Sequence, residues 1–452
     1  MTPIFAVLRP RRGALRPSLA SACSISLLAP SLNATDTGAP LSDNAGLSRG
    51  ELSILLTLAA VQLTHTVDFM LMMPLGPQFM RLFAIGPHEF ALLVSAYTFA
   101  AAASGFVAAF WIDHFDRKRL LLALYAGFIA ATAFCGIAQD YTMLLTARMI
   151  AGAFGGVLGG LVFAIVADLV PYSRRARATA IVAAGFSLAA VAGVPLSLWV
   201  AAHSSWRAPF LALAAVSVIV AGAAAWLVPS LTQHIGSESR RAPLAQLEAI
   251  FGVANHRRAF AFMTVLLCSV FSVVPFIAAY NVANVGVTEA QIAIIYLAGG
   301  ATSLVTAQVI GHLADRYGKR KLFTILAVIS ILPILVVTHM PRLPLHWVVP
   351  LSVSFFVFVP GRFGPATALV TGSVEPQRRG SFLSFNASIQ QFASGFASLV
   401  AGLIIGRGPR GALTHYGTVG WLSVACTLAC LWLVRQIQVI DGSAPAMVPA
   451  RR

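Results

Sequence analysis

Four ionisable side chains lie inside long apolar stretches of this sequence, where their charge has chemical consequences. Asp68, Arg148 and Arg362 are the charged ones, and His65 lies one helical turn before Asp68. A charge at the centre of a lipid bilayer costs roughly 2.5 kcal/mol or more unless it is paired or hydrated. Burial raises the pKa of a carboxyl, and a nearby arginine lowers it. A carboxyl whose surroundings change can therefore bind a proton in one state and release it in another.

Asp68 and Arg148 lie at similar depths if the apolar runs are helices. Asp68 lies sixteen residues after Leu52, where the first run begins, and Arg148 lies six residues into the fourth run. At 1.5 Å per residue, Asp68 lies about 24 Å from one membrane face and Arg148 lies about 9 Å from the other. We expect Asp68 to take up the proton, Arg148 to be its counter-charge and His65 to share the relay. The alternatives are a fixed ion pair between helices and a histidine that only packs or hydrogen-bonds.

Arg362 lies in the sequence Val-Pro-Gly-Arg-Phe-Gly-Pro at 359–365, which is expected to interrupt a helix. Broken helices often face a substrate cavity, so Arg362 suits an anionic substrate or a counter-charge for Asp68. The alternative is a helix kink in which the arginine binds freed carbonyl groups. Other polar candidates for the cavity, each of which can also join helices, are Tyr280, Asn281, Asn284, Asn386, Gln390 and Gln391.

The elements that must position these residues are apolar helices. Of 452 residues, 58% are hydrophobic and 10% are charged, against roughly 25% charged in a soluble domain, so the chain needs lipid around it. Long apolar runs indicate membrane helices, because barrel strands would alternate. The runs lie near 52–77, 89–112, 120–138, 142–168, 178–202, 208–228, 259–284, 290–312, 322–339, 346–370, 381–405 and 418–436. We predict an all-α membrane protein with twelve transmembrane helices in two pseudo-symmetric six-helix bundles.

The formal charge of +16 does not indicate a nucleic-acid partner, because the basic residues are not clustered on one folded face. They lie between the apolar runs, and most fall in alternate loops, as at 117–119, 174–177 and 316–321. Loops rich in Lys and Arg stay in the cytoplasm, so both termini are predicted to be cytoplasmic. The five cysteines form no CxxC pair, and we expect no disulfide framework, metal site or cofactor.

The longest polar interval divides the runs into two groups of six. We predict a disordered cytoplasmic tail at 1–50, an N-terminal bundle at 51–228, a cytoplasmic linker at 229–258, a C-terminal bundle at 259–436 and a cytoplasmic tail at 437–452. The N-terminal segment is rich in Ser, Ala, Pro and Arg and has no helical period. A secretory signal is the rival interpretation of that segment, although the stretch after its arginines is short and broken by Ser and Pro.

The two groups of runs repeat one another. Asp113 and the basic cluster that follow the second run are matched by Asp315 and its cluster after the eighth run. A Pro and paired arginines follow both the fourth and the tenth runs, and Arg148 in the fourth run is matched by Arg362 in the tenth. Internal repeats of this kind are common in transporters whose two bundles rock about a central site.

Over residues 52 to about 436, the sequence resembles the major facilitator superfamily. The segment Gly-His-Leu-Ala-Asp-Arg-Tyr-Gly-Lys-Arg-Lys at 311–321 is similar to the full signature that this family carries after helices 2 and 8. The first-half copy at 109–119 has lost both glycines, and His114 stands where Arg is usual, so we expect its geometry to differ.

In the family this loop is a conformational latch, whereas the alternative is that its cations only fix topology. The resemblance assigns the latch role to Asp113, Arg117, Gly311, Asp315, Arg316, Gly318, Lys319 and Arg320.

Two further segments resemble the drug:proton antiporter branch and the related sugar-efflux branch of the family. Arg148-Met-Ile-Ala-Gly152 is similar to the buried-arginine motif of helix 4. Gly193-Val-Pro195 is similar to a shortened antiporter motif of helix 5, although Gly and Pro are common in membrane helices anyway.

The resemblance implies a secondary active transporter that works by alternating access. We expect a proton-coupled exporter of small molecules such as drugs, sugars or metabolites. The alternatives are a proton symporter that imports a sugar or organic acid and a non-transporting membrane sensor. No GxxxxGK[ST], HExxH or GxSxG pattern occurs, so we expect no enzyme activity. We expect a monomer in the inner membrane of a bacterium, whose partners are lipid, protons and a small-molecule substrate.

Overall fold

The computed structural model describes residues 47–232, 243–375 and 378–440. In that part of the chain, twelve helices are long and apolar enough to cross a membrane. They are α1 (Arg49–Leu71), α2 (Pro87–His114), α3 (Arg117–Ile137), α4 (Tyr141–Leu169), α5 (Arg174–His203), α6 (Ala208–Leu227), α7 (Ala254–Val285), α8 (Glu289–Tyr317), α9 (Lys319–Thr338), α10 (Leu345–Gly372), α11 (Arg379–Ile404) and α12 (Tyr416–Gln436). The fold is an all-α, multi-pass membrane fold of two six-helix bundles, as the apolar runs predict.

Both ends of α1 differ from the prediction. The helix begins at Arg49, because the Ser48 side chain accepts from the Glu51 N–H and the Glu51 carboxylate accepts from the Ser48 N–H. This capping box ends the preceding segment before residue 50. At the other end, Pro74 cannot continue the helix, and a short helix at Gly76–Leu82 follows. The rest of the predicted N-terminal tail lies outside the described residues.

The predicted linker at 229–258 is too long at its C-terminal end. A short helix spans Pro243–Phe251, and α7 already begins at Ala254. The first turns of α7 contain Arg257 and Arg258. From the sequence alone, their charge predicts that they belong to the linker and not to the helix. Arg257 instead donates to the carbonyls at the end of the short helix, and this contact joins the two helices.

Among the described membrane helices, α5, α7 and α10 are interrupted near a proline or glycine. In α5, a π-helical turn at Ala189–Gly193 precedes Pro195. In α7, the first α-helical segment ends at Phe271 and a 3₁₀ turn follows at Val274–Phe276. In α10, the helix is broken at Arg362. Breaks of this kind free backbone groups that neighbouring helices must satisfy.

The loops define two sides of the molecule. We call the side of the α2–α3 and α8–α9 loops the basic side, and the other the opposite side. On the opposite side, one apolar cluster contains residues of both bundles, including Leu71, Phe90, Phe276 and Tyr416. On the basic side, the buried cores of the two bundles are separate clusters. Near the basic side the bundles still meet where Phe106 and Phe110 of α2 contact Phe385 of α11. The buried core that both bundles share, which we call the seal, lies on the opposite side.

One ion pair supports this seal, and a small sheet lies on the same side. Arg81, before α2, forms an ion pair with Glu289 at the start of α8. Two short strands, β1 (Gly406–Arg407) and β2 (Leu413–Thr414), pair antiparallel in the α11–α12 loop on the same side. In contrast, the half of α8 nearest the basic side is largely exposed, for example at Val305 and Val309.

Candidate functional site

Asp68 of α1 and Arg148 of α4 form an ion pair in the interior of the N-terminal bundle. One guanidinium nitrogen, Nη1, lies 2.7 Å from Oδ2 of Asp68 and 3.4 Å from its carbonyl oxygen. Both residues have no exposed surface. The structure therefore brings together the two charges whose depths match in the sequence. Breaking a buried pair by removing one partner typically costs about 3–5 kcal/mol.

Two neutral side chains complete the surroundings of the pair. The Thr132 hydroxyl of α3 donates to Oδ1 of Asp68 at 3.3 Å. The Tyr97 ring of α2 lies under the guanidinium, with its centroid 4.4 Å from Cζ of Arg148. Such a cation–π contact is worth about 2 kcal/mol when it is desolvated. Four helices of one bundle thus converge on a single acid.

Tyr97 is held in place by glycines of α4. A Cβ atom at Gly152 would overlap the Tyr97 carbonyl oxygen and lie 2.8 Å from its Cα. A Cβ at Gly155 would overlap the Tyr97 hydroxyl. Neither Tyr97 nor Thr132 is among the candidates predicted from the sequence. In the sequence, only Gly152 and Gly155 of α4 point to the contact with Tyr97, since small residues let two helices approach closely.

His65 lies one helical turn before Asp68 on α1, but its ring does not join the ion pair. Its ring packs beside Gly159 of α4, where a Cβ would lie 3.6 Å from Cε1. Among the described residues it makes no hydrogen bond to Asp68, and its buried Nε2 atom has no partner. The Gln62 Oε1 atom, one turn earlier, is also buried without a partner. These two groups form a polar row next to the pair rather than part of it.

Arg362 is buried in the C-terminal bundle and makes no hydrogen bond to Asp68. Its Nη1 donates to the Thr427 hydroxyl of α12 at 3.0 Å, and its Nη2 donates to the Ser269 hydroxyl of α7 at 3.3 Å. Its Nε donates to the Val359 carbonyl at 3.1 Å, in the broken part of α10. Within the described ranges it forms no ion pair. Arg362 therefore joins α10 to α7 and α12 in this conformation.

The predicted match between Arg148 and Arg362 does not hold in the structure. Arg148 lies seven residues after the start of α4, whereas Arg362 lies seventeen residues after the start of α10. Both helices start on the opposite side, so the two arginines differ in depth by about 15 Å at 1.5 Å per residue. The residue of α10 at the depth of Arg148 is Ser352, which is buried.

The secondary candidates do not form one constellation. Tyr280 donates to the Met340 carbonyl at 3.1 Å and its ring meets that of Tyr416 at a tilt, so it joins elements of the C-terminal bundle. Asn281 is buried, and neither its Nδ2 nor its Oδ1 has a hydrogen-bond partner among the described residues. On α11, Asn386 is buried with an unpartnered Oδ1, and Gln390 is half-buried.

The two remaining amide candidates lie in different surroundings. Asn284 donates from Nδ2 to the Leu413 carbonyl at 2.9 Å and accepts from the Leu413 N–H at 2.8 Å. This two-point contact fixes β2 to α7, so Asn284 joins elements of the fold. Gln391 is half-buried on α11.

The latch loop of the first half forms a charge network, although its sequence is the degraded copy. Arg117 donates to Asp113 at 2.7 Å and to Asp168 of α4 at 3.0 Å, and it also donates to the Ile112 carbonyl. Its side chain is buried. The two acids and the buried guanidinium therefore hold this loop in place without the missing glycines.

Asp116 fixes the start of α3 in the same loop. Its carboxylate accepts from the Lys118 N–H and the Leu231 N–H, and from the Ser230 hydroxyl. Burial raises the pKa of Asp116, but these hydrogen bonds outweigh it and hold the pKa below its ordinary value.

The latch loop of the second half has the complete motif but few contacts. Asp315, Arg316 and Lys319 are exposed and form no ion pair within the described part of the chain. Gly318 has a φ of +90°, a conformation that favours glycine, while nothing lies within 4 Å of a Cβ at Gly311. Arg320 donates to the Ile437 carbonyl. In this conformation the loop is free to accept another partner.

The helix-5 motif forms the contact between α5 and α1. Gly193 ends the π-helical turn, and a Cβ there would overlap the Val67 side chain, the residue before Asp68. Pro195 begins the α-helical segment that follows. The motif thus brings α5 close to the segment of α1 that bears the acid.

Comparison with known proteins agrees with this architecture. A sequence model of the Major Facilitator Superfamily matches residues 58–398 and 259–446. The chain is 24% identical over 359 residues to the MFS-type transporter YceJ of Bacillus subtilis, covering 78% of this chain and 88% of that protein. It is 23% identical over 310 residues to YbcL of the same organism, with 68% and 76% covered.

Solved structures have a similar fold. The nucleoside transporter NupG has a TM-score of 0.66 and 14% identity, covering 86% of this chain and 99% of that one. A D-xylose-proton symporter has a TM-score of 0.70 and 15% identity, with the same coverage.

Proposed function

This chain belongs to the major facilitator superfamily, and from that premise we propose that it is a proton-coupled exporter of small molecules, an antiporter that works by alternating access. Its family and fold are those of membrane transporters, which are not enzymes. As an integral, multi-pass membrane protein it carries a small-molecule substrate. We further propose that it works as a monomer in the inner membrane of a bacterium, with both termini in the cytoplasm.

The observation that carries the proton coupling is the ion pair of Asp68 and Arg148. Asp68 is the one acid among the described residues that is fully buried. Protonation of its carboxylate would remove the charge that holds the guanidinium, leaving Arg148 with the Tyr97 ring and a weak bond to a carbonyl oxygen. The position of Arg148 then depends on whether Asp68 carries a proton. Proton binding would then shift the bundle between two arrangements, as a switch requires.

The closed opposite side of this conformation supports proton uptake by Asp68 from that side and release toward the basic side. Asp68 lies three residues from the end of α1 at Leu71, about 5 Å from the sealed opposite side at 1.5 Å per residue. In the present conformation the acid is paired with Arg148, as in a state that has released its proton. Opening of the opposite side would hydrate Asp68 and load it. The buried, unpartnered atoms Nε2 of His65 and Oε1 of Gln62 lie on the basic side of Asp68 and would bind water that reaches the acid from that side.

The two latch loops fit the rocking of the bundles. The first loop is locked to its own bundle through Arg117, Asp113 and Asp168. The second loop, with Asp315 and Arg316 exposed, is available to bind the first bundle when the basic side closes. Export is favoured over import by the likeness of the helix-5 segment at Gly193 and Pro195 to the antiporter motif.

Proton symport is the second candidate. A D-xylose-proton symporter has the same fold at 15% identity, which shows only that such coupling occurs on this architecture. The buried, unpartnered amides of Asn281 and Asn386 would suit a neutral polar substrate such as a sugar.

Transport by reconstituted protein in a pH gradient distinguishes these candidates. Proteoliposomes are given a panel of drugs, sugars and organic acids, with the acidic side either inside or outside. An antiporter moves its substrate against the direction of proton flow, and a symporter moves it with the protons. We expect Asp68→Asn to abolish the gradient-driven flux. Asp140→Asn is the matched control, because Asp140 caps α4 by accepting the Met143 N–H and Asn caps equally well.

Loss of flux in the Asp140 variant as well would mean that the loss does not depend on the ion pair. Gradient-driven flux that survives in Asp68→Asn would contradict the assignment of Asp68. Movement of no solute by the parent would favour a membrane sensor.

A further inference from the structure

A row of three aromatic rings leads from the ion pair into the other bundle. The Arg148 guanidinium lies on the Tyr97 ring. The Tyr97 centroid is 5.4 Å from that of Phe69, and the Phe69 centroid is 6.0 Å from that of Phe271. Tyr97 and Phe69 belong to the N-terminal bundle, and Phe271 belongs to α7 of the C-terminal bundle. We call Tyr97, Phe69 and Phe271 the aromatic bridge.

The near end of the bridge is tied to the acid in two ways. Phe69 is the residue after Asp68, so a displacement of the Asp68 backbone moves both. Tyr97 is clamped against α4, because Gly152 and Gly155 leave no space for a side chain beside it. The ring therefore follows the helix that carries Arg148, while Phe69 follows the helix that carries Asp68. A change in the ion pair changes the angle or distance between these two rings.

The far end of the bridge lies at the break of α7. The first α-helical segment of α7 ends at Phe271, and the Phe271 carbonyl accepts from the Ser398 hydroxyl of α11 at 3.2 Å. Two residues earlier, Ser269 accepts from the buried Arg362. A helix interrupted at this point can bend, since its backbone hydrogen bonds are already broken. Phe271 is thus placed to convert a push on its ring into a change in the bend of α7.

We propose that Phe69 is a positioning residue that transmits the charge state of Asp68 to the α7 break through the aromatic bridge. The inference rests on the proposed proton coupling at Asp68. In the ionised state Arg148 is held by the carboxylate, and the bridge is packed as observed. In the neutral state the guanidinium shifts on Tyr97, Phe69 follows, and Phe271 releases the bend on which the seal of the opposite side depends. Aromatic rings are suited to this step, because a ring that moves in a closely packed interior must displace the ring beside it, and such packing changes between discrete arrangements.

Spin labels on the opposite side test the proposal without knowledge of the substrate. Leu82 and Trp347 lie in different bundles and are exposed there, so each is replaced by a labelled cysteine in a background without native cysteines. The distance distribution is measured by electron spin resonance while the pH is lowered, and protons are the only ligand added. We expect the parent to shift toward the open population. Phe69→Leu should reduce the pH-induced change in the open-to-sealed ratio about tenfold, within the usual range of coupling between sites.

Two variants separate transmission from mere packing. Phe69→Tyr keeps the ring and should keep the pH response. Phe99→Leu is the matched control, because Phe99 of α2 also meets a ring of the other bundle, Phe392 at 5.4 Å, but lies outside the aromatic bridge. It should respond to pH as the parent does.

The outcomes distinguish the inference from its premise. If Phe69→Leu retains the full response, or if Phe99→Leu loses it equally, the bridge does not transmit the signal, while Asp68 remains a candidate for coupling. If the parent itself ignores pH, proton coupling is wrong and the inference fails with it.

Discussion

Replacement of Gly152 by alanine tests how the ion-pair site is held together. The added Cβ would lie 2.8 Å from the Cα and carbonyl carbon of Tyr97 and overlap its carbonyl oxygen. These are backbone atoms, so α2 and α4 must separate. Overpacking of this kind costs about 1–3 kcal/mol, and alanine regains about 0.5–1 kcal/mol of helix stability over glycine. We therefore expect Gly152→Ala to lower the free energy of unfolding by about 1–2 kcal/mol.

Gly160 of the same helix is the matched control, because nothing lies within 4 Å of a Cβ at that position. Gly160→Ala should be neutral or stabilise by about 0.5–1 kcal/mol. Equilibrium unfolding of both variants in mixed detergent micelles measures the difference. Equal stability of the two variants would refute the idea that Tyr97 is positioned by close approach of its backbone to Gly152.

The charged groups give three more predictions. Asp68→Asn and Arg148→Met should each lower the free energy of unfolding by about 3–5 kcal/mol, and the double variant should lose much less than the sum of the two. Additive losses in the same unfolding assay would show that the two side chains do not stabilise each other. Arg117→Leu should remove the cation that joins Asp113 to Asp168 and loosen the α2–α3 loop. Amide hydrogen exchange in the loop should become faster, and unchanged exchange would mean that the network does not hold the loop. The pKa of Asp116 is lowered in the folded protein, so its contribution to stability is present above the ordinary pKa of about 3.9 and is lost as the pH falls through the folded pKa. Asp116→Asn should therefore reduce the loss of stability at acidic pH. An unchanged loss would contradict this role of Asp116.

The membrane topology is tested separately by chemical labelling. Arg119, in the α2–α3 loop, and Arg342, in the α9–α10 loop, are exposed on different sides. Single cysteines at these positions, in a background without native cysteines, should react with an impermeant reagent from different sides of the membrane. Reaction of both from one side would overturn the proposed orientation.

The fold was predictable because the length of an apolar run largely decides whether it spans a membrane. The exceptions are local. Pro74 lies within an apolar run and follows the end of α1, and the capping box at Ser48 starts that helix before the run, because backbone hydrogen bonding decides helix ends. The start of α7 differs from the prediction because Arg257 and Arg258 have the charge of linker residues, although long cationic side chains can lie along a helix end at the membrane surface.

The site was predictable only in its charges. Depth along a helix brings Asp68 and Arg148 together, but sequence spacing does not show that the His65 ring packs beside Gly159 instead of bonding to Asp68. Tyr97 and Thr132 carry no charge, so their residue types alone do not distinguish them from packing residues. The predicted match of Arg362 to Arg148 compared the numbers of the helices that carry them and not the depths of the two residues. The hydroxyl groups that bind Arg362 could not be predicted, because its position depends on the break in α10.

Whether Asp68 itself binds and releases a proton is measured most directly by infrared difference spectroscopy of the purified protein between neutral and acidic pH. A protonated carboxyl has a carbonyl band that is distinct from the carboxylate bands. Exposed acids of the chain also become protonated and give a band in every variant, so the informative signal is the difference between parent and variant spectra. We predict one carbonyl component on acidification of the parent that is missing from Asp68→Asn and retained in the Asp140→Asn control. Parent and Asp68→Asn spectra with the same set of carbonyl components would contradict the claim that this ion pair couples protons to transport.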